Sequence, residues 1–397
     1  MNLAVFTEFF EHDRNSAGRH MTDLVKELSC KFQHIDVYSI YDHKNIKTST
    51  KWPANVKIYS LGLDINAKSD SYVIRFFVEL SISFRALFKI IVLRKLFFYR
   101  SIIWYSPTIF WGPVVFILGF FKKSKKYLIL RDIFPQWAID LRVIKKYSIQ
   151  HFILSFFEKL QYKVADTIAI QTEGNKSYFE ELEYAKSKLV ILRTWFDICE
   201  EIHEIPLEIS QEIPFHKKLL VYIGNLGIAQ DQKIILDLIK EMKSFNNFHF
   251  LFIGQKDADK DYICKIKNKN NLENLTILKP IEQQYINLIC SKSYIGIFSL
   301  DKRHTTHNIP GKFLQYISCG LPVYGVCGQG DIIEIIEKNN LGKTYIGNQP
   351  MEALNMLNNL IKDIDNNKID PEQLKNYVKN NISTKDAALR IYNNLAK

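Results

Sequence analysis

A Pro310-Gly311-Lys312 turn follows the apolar run Ser293 to Leu300 and opens a helical pattern. Pro310 suits the first turn of a helix, where a missing N–H costs nothing. Phe313, Leu314, Ile317 and Ser318 keep helical spacing. Gly320 is placed to end that helix before the next apolar run, Leu321 to Val326. A strand, a tight loop and a helix opening at this lysine form a place to hold phosphate. Free N–H groups and the positive end of the helix dipole face the anion, and Lys312 adds a full charge. The plainer alternative is an ordinary strand–loop–helix unit whose lysine is solvated.

Two other stretches carry residues fit for chemistry. Val221 to Gly227, VYIGNLG, sets Gly224 and Gly227 just past a strand-like run. Glycine lets the backbone approach a ligand closely, and a simple turn is the alternative. Arg131-Asp132-Ile133-Phe134-Pro135 follows directly on the apolar run Tyr127 to Leu130. At the end of a strand Asp132 could act as a base and Arg131 could meet phosphate. A buried structural ion pair is the competing reading. No Asp-x-Asp pair stands in a metal-binding context. The six cysteines, at 30, 199, 264, 290, 319 and 327, have no CxxC or CxH spacing. They read as reduced thiols of a cytosolic protein.

These residues need elements to position them. Leu3 to Phe9 reads as a strand, Glu11 to Gly18 as a polar loop that opens a helix running to about Cys30, and Ile35 to Ile40 as a second strand. Further strands are expected at 102–105, 127–130, 167–171 and 189–192, with a helix over 149–165. Glutamates and prolines crowd between Cys199 and Pro214, a plausible linker. A second alternation then starts, with strands at 219–223, 248–253, 275–278 and 294–298. The expectation is an α/β chain of two Rossmann-like β/α/β domains, 1–200 and 215–380, facing across a cleft where ligands meet the carboxyl ends of the strands. A last helical pattern at 386–397 can cross back onto the first domain.

The chain has 397 residues, comfortable for two domains, and a formal charge of +11, which favours an anionic partner. The excess is concentrated between Lys68 and Lys126, where basic residues interleave with Phe, Ile and Leu. That pattern suits a helix on an anionic lipid surface, and a core helix with a solvated basic face is the alternative. Nucleic acid is not expected, because no zinc spacing, RNA-binding aromatic signature or helix-turn-helix pattern is present. Met1 to Phe10 lacks the features of a secretory leader. Ser101 to Phe121 is uncharged and long enough to span a bilayer, but Pro107 and Pro113 interrupt it. It reads as a strand leading into a helix, with a partial dip into the membrane as the alternative.

Three pieces, LILRDIFPQWAIDL (128–141), VYIGNLGIAQD (221–231) and THNIPGKFLQYISCGLPV (306–323), resemble glycosyltransferase family 4, of the GT-B fold. The resemblance covers nearly the whole chain. It looks closest to bacterial O-antigen transferases carrying RDIFP, which are similar to N-acetyl-L-fucosamine transferases. The family's two glutamates, eight positions apart, correspond here to His307 and Gln315. The family's Arg/Lys pair is not evident, Lys233 and Lys312 being the nearest cations, and its histidine ahead of the first-domain aspartate is Arg131.

The resemblance implies transfer of N-acetyl-L-fucosamine from a UDP-linked donor to a polyprenyl diphosphate-linked N-acetylhexosamine. The setting would be O-antigen or surface polysaccharide synthesis by a peripheral protein on the cytoplasmic face of the plasma membrane. Gly224, Asn225, Gly227 and Gln230 would contact the nucleotide's phosphates or ribose. Asn308, Ile309, Pro310, Gly311 and Lys312 would hold the diphosphate and donor sugar, with Gln315 at the ribose and His307 at the diphosphate. Asp132, or Glu11 and Asp13, would meet the acceptor hydroxyl. No cofactor and no metal are expected, since the helix N-terminus and Lys312 would take the leaving-group charge. Family members generally retain anomeric configuration. Two rivals stand beside this reading: a non-transferring GT-B enzyme such as a UDP-sugar 2-epimerase, and a silent GT-B binding partner.

Overall fold

A computed structural model describes residues 1–10, 16–41, 52–63, 72–106, 108–198, 204–224, 230, 232–254, 257–303, 305–306 and 309–396. The chain divides into two units, Met1–Trp195 with Thr384–Lys397, and Phe196–Ser383.

The first unit begins β1 (Asn2–Thr7), α1 (Ser16–Ser29), β2 (His34–Tyr41), β3 (Val56–Leu63), α2 (Tyr72–Val92), β4 (Ser101–Tyr105), α3 (Gly112–Phe121) and β5 (Lys125–Ile129). It continues through α4 (Gln136–Asp140), α5 (Ile149–Val164), β6 (Thr167–Ile170), α6 (Glu183–Lys186) and β7 (Leu189–Ile191). The strands form one parallel sheet in the order β3-β2-β1-β4-β5-β6-β7. Helices cover both faces, so the central strands read as unbroken apolar runs: Leu3, Ala4, Val5 and Phe6 of β1 are all fully buried. On one face Ile82, Ala86 and Ile90 of α2, Val114 and Leu118 of α3 and Tyr162 of α5 share a core with Phe6 and Trp104.

The second unit runs α7 (Leu207–Ser210), β8 (Lys218–Ile223), α8 (Gln232–Glu241), β9 (Phe248–Ile253), α9 (Asp257–Asn270), β10 (Leu275–Leu278) and α10 (Gln283–Ser291). It continues with β11 (Ile295–Ser299), α11 (Gly311–Ser318), β12 (Val323–Val326), α12 (Asp331–Lys338), β13 (Gly342–Tyr345), α13 (Pro350–Asp365) and α14 (Pro371–Asn381). Its parallel sheet has the order β10-β9-β8-β11-β12-β13. The last helix, α15 (Thr384–Ala396), belongs to the first unit. There it lies against α1 and buries Ala387, Ala388, Ile391 and Leu395 in a core with Leu24, Val25 and Leu28.

Each unit is thus an open parallel sheet wound in both directions from its middle, the α/β arrangement the alternation predicts. Two strands have no counterpart in the sequence reading, β3 and β13. The uncharged segment Ser101 to Phe121 divides into the buried strand β4, a 3-10 turn at Ile109–Trp111 and the ten-residue α3. Among the described residues no helix is long and apolar enough to cross a membrane. Among the described residues, Cys30, Cys264, Cys290 and Cys327 are free cysteines.

Candidate functional site

In the second sheet the winding reverses between β8 and β11, which lie side by side. Ligands of such sheets sit beyond the carboxyl ends of the strands at this reversal. Both stretches singled out in this half of the sequence leave from there: Gly224 directly follows β8, and the loop to Pro310 follows β11.

Gly224 has φ +82°, a conformation that a side chain disfavours, and a Cβ added there would meet nothing within 4 Å. Its N–H donates to Ile253 O at 2.8 Å, which fixes the turn to the end of β9. Helix α11 is locked to the two strand ends through one side chain. The Tyr316 hydroxyl donates to Ile297 O at 3.0 Å and accepts from Ile223 N at 2.9 Å. Gly296 makes this possible, since a Cβ there would fall within the Tyr316 ring.

One turn earlier on the same helix face, Lys312 Nζ donates to the Tyr222 hydroxyl at 2.8 Å and lies 3.9 Å from the centre of that ring. The Lys312 side chain is half-buried. Burial of the ammonium pulls its pKa from the usual range to about 7. The helix opens at Pro310 with no side-chain cap and no acidic residue in its first turn. Ile309, Pro310 and Gly311 are half-buried, and Ile309 packs on the core of the unit. A half-buried cation beside an uncapped helix start, at the sheet reversal, is suited to an anion.

Gln315 is placed otherwise than the ribose reading requires. It is buried, and its Nε2 donates to Asn287 Oδ1 at 3.0 Å, so it ties α11 to α10. Gln230 is half-buried, and Lys233 is exposed at the start of α8. Asn225, Gly227, His307 and Asn308 lie outside the described residues, as do Glu11 and Asp13.

In the first unit the winding reverses between β1 and β4. Arg131 and Asp132 follow the next strand, β5. The expected phosphate contact from Arg131 is corrected by its surroundings. The residue is 6% exposed, and its Nη1 donates to Leu192 O at 2.6 Å. Its guanidinium lies 4.7 Å from the centre of the Trp195 ring. Its backbone is held as well: N donates to Ser106 Oγ at 3.0 Å, and O accepts from Gln171 Nε2 at 2.6 Å. Arg131 is a cation turned into the interior, where it stacks and pairs with carbonyl oxygen. Trp195 Nε1 donates to His20 O at 2.7 Å. Burial, then Arg19, then Arg131 depress the His20 pKa to about 3, so its ring is neutral.

Asp132 is half-buried. Burial raises its carboxyl above the usual range, and Arg131 works against that rise. Sequence reasoning missed Glu8, which it absorbed into the first strand. Glu8 is half-buried just past β1, and its Oε2 accepts from Thr108 Oγ1 at 3.3 Å, just past β4. The signal available was that Glu8 is the first charged side chain after the apolar run Leu3 to Phe6. Tyr222 was missed too, its position inside a strand marking it as core. Among the described residues no group of three or more His, Cys, Asp or Glu is placed to hold a metal ion.

Residues 207–381 match the family model of the glycosyl transferases group 1. The probable glycosyltransferase WbjE of Pseudomonas aeruginosa is 22% identical over 262 residues, 62% of this chain and 61% of that protein. The chain therefore spans about three fifths of the length of this curated relative. Two solved structures have the same fold over almost their whole length. Sucrose-phosphate synthase from Thermosynechococcus elongatus aligns at a TM-score of 0.72 and 12% identity, covering 98% of this chain and 97% of that one. HepE from Anabaena, in complex with UDP-glucose, aligns at 0.71 and 12%, covering 99% of both. The chain has the GT-B fold of two parallel-sheet Rossmann-like units, and the match to the glycosyl transferases group 1 model falls within its second unit.

Proposed function

We propose that the chain transfers a sugar from a UDP-sugar donor to a saccharide carried on polyprenyl diphosphate. The donor sugar of this reading is N-acetyl-L-fucosamine and the acceptor sugar an N-acetylhexosamine. The setting is surface polysaccharide synthesis on the inner face of the plasma membrane. The observation that carries the donor half is the pairing of Gly224 and the Lys312 end of α11 at the sheet reversal of the second unit. The nucleotide-bound state of HepE, named as a complex with UDP-glucose, supports a UDP-linked donor. The residue patterns that resemble the RDIFP-bearing transferases support the choice of sugar and acceptor.

In this reading the bond between the sugar's anomeric carbon and the diphosphate oxygen breaks, and the acceptor hydroxyl forms the new one. The electron pair leaves with UDP. The N-terminus of α11 and the Lys312 ammonium take up the charge that grows on the diphosphate, without a metal ion. Asp132 receives the acceptor proton, and its raised pKa brings it nearer to a working base.

The test is a screen of UDP-sugars against membrane extract, with transferred sugar and free UDP both measured. Transfer matched by UDP release, and dependent on extract, is the expected result. UDP release or sugar isomerisation without an acceptor would place the protein with the 2-epimerases. Donor binding without turnover would make it a silent partner.

A further inference from the structure

The helical layer formed by α2, α3 and α5 is apolar on both sides. Its inner side packs on the first sheet. Its outer side ought to be polar, yet Phe84, Phe88 and Ile91 stand exposed on α2 at i, i+4 and i+7, at 70%, 69% and 52%. On α3, Phe116 and Phe120 repeat the pattern, the latter 78% exposed. On α5, Ile149, Phe152, Ile153 and Phe156 occupy i, i+3, i+4 and i+7, with Ile149 at 80%.

The three stripes belong to one surface. Helix α3 packs against both α2 and α5, and the turn at Ile109–Trp111 contacts the same two helices. Leu80 of α2 and Phe157 of α5 pack on one small cluster built around Phe110 and Leu154. Phe97, just past α2, meets Phe121 of α3 edge-on at 5.5 Å. A continuous exposed apolar surface of this kind on a folded chain marks a contact site.

Charge selects the occupant. Residues 77–163 hold 15 Lys and Arg against 4 Asp and Glu, a net of +11 that equals the formal charge of the whole chain. All remaining residues together are neutral. Lys122 and Lys123 follow α3, and Lys145 and Lys146 precede α5, so cations flank the apolar stripes. A second copy of this chain would bring the same cations against themselves. An anionic lipid surface satisfies both features, since apolar side chains enter the acyl boundary while lysines stay with the headgroups.

We infer that the outer face of α2, α3 and α5 lies in the headgroup–acyl boundary of an anionic bilayer, with its phenylalanines inserted. This moves the membrane contact beyond the basic run at Lys68 to Lys126 to include α5. It also makes the attachment partly apolar, so salt weakens it without abolishing it. The surface deepens the membrane partner of the proposed function and rests on that reading for the source of the lipid.

The full chain is sedimented with vesicles of phosphatidylcholine alone and of phosphatidylcholine with phosphatidylglycerol, in low and high salt and without donor or acceptor. Binding to the anionic vesicles with a salt-resistant remainder is expected. Combining Phe84→Ser, Phe88→Ser, Phe152→Ser and Phe156→Ser should weaken binding to both vesicles by at least roughly tenfold. Combining Lys122→Gln, Lys123→Gln, Lys145→Gln and Lys146→Gln should remove only the gain from phosphatidylglycerol. An unchanged thermal transition and unchanged UDP binding show that the variants fold. The inference is overturned if wild type ignores both vesicles or if the Ser variant binds like wild type. It is also overturned if wild type is a dimer that the Ser changes dissociate and that does not bind lipid. Vesicle binding and sugar transfer are read separately, so either can fail while the other stands.

Discussion

Lys312 Nζ lies 2.8 Å from the Tyr222 hydroxyl, a lysine at the start of α11 held by a tyrosine near the end of β8, two residues before Gly224. The bond sets the cation beside the end of β8, where the proposed function puts the nucleotide diphosphate. Lys312→Ala should cost a charge-assisted contact of about 1.5–3 kcal/mol, roughly a 10- to 100-fold loss of UDP-sugar affinity. Titration calorimetry reads this directly. Unchanged affinity would show that the lysine only serves Tyr222.

The same lysine predicts a pH dependence. Its pKa is about 7 in the ligand-free chain against a usual value of 10.5. An unfolded lysine stays protonated through that window, so folding releases a proton there. The residue's contribution to stability therefore rises with pH between the two values, its penalty being full below the lower one. A bound diphosphate favours the charged form, so donor binding takes up a proton. Affinity for a UDP-sugar, whose diphosphate does not titrate here, should be flat below about pH 7 and fall by up to about tenfold per unit above it. Lys312→Met should flatten the profile. A wild-type affinity that rises above neutrality contradicts the assignment.

Asp132→Asn should abolish most sugar transfer while leaving UDP affinity within about twofold, since in the proposed reaction Asp132 meets the acceptor hydroxyl and not the nucleotide. The carboxylate sits in the first unit and the proposed nucleotide residues in the second. Kinetics on the variant and calorimetry with UDP separate the two effects. Loss of both, with a lowered thermal midpoint, would return Asp132 to the role of a structural partner for Arg131.

Gly296→Ala should destabilise the second unit by about 1–3 kcal/mol, because the new methyl enters the Tyr316 ring. Displacing Tyr316 also frees Ile223 N and Ile297 O. Donor affinity should therefore fall along with the thermal midpoint, although Gly296 itself touches no ligand. Gly224→Ala separates space from backbone: its Cβ has room, so any cost comes from φ +82° alone. A midpoint unchanged in Gly296→Ala would show that α11 yields without loss.

The strands that were legible in the sequence are those buried on both faces. β1, β4, β8 and β11 read as apolar runs because helices cover each side of them. β3 mixes Lys57, Ser60 and Gly62 with its apolar residues and stands at the sheet edge, while β13 is four residues, Gly-Lys-Thr-Tyr, also at an edge. Neither carries a periodic signal. In the second unit the turn at Gly224 and the helix start at Pro310 were legible, because a φ of +82° favours glycine and a helix start tolerates a missing N–H. The fate of Arg131 and Gln315 was not, since each is settled by partners far along the chain, Leu192 and Asn287. Glu8 was hidden because the apolar run Leu3 to Phe6 and the following Phe9 and Phe10 drew it into the strand.

The return of α15 to the first unit has a consequence during synthesis. The core around Leu24, Val25 and Leu28 is completed by Ala388 and Ile391, which follow the entire second unit. At roughly 5–20 residues per second, the ribosome takes on the order of ten to forty seconds to make the intervening Phe196–Ser383 stretch. During that interval α1 waits with an uncovered apolar flank, while the second unit, contiguous in sequence, can close on itself. The half of the protein made first is thus the half finished last, and a nascent chain paused before Thr384 offers α1 to chaperones.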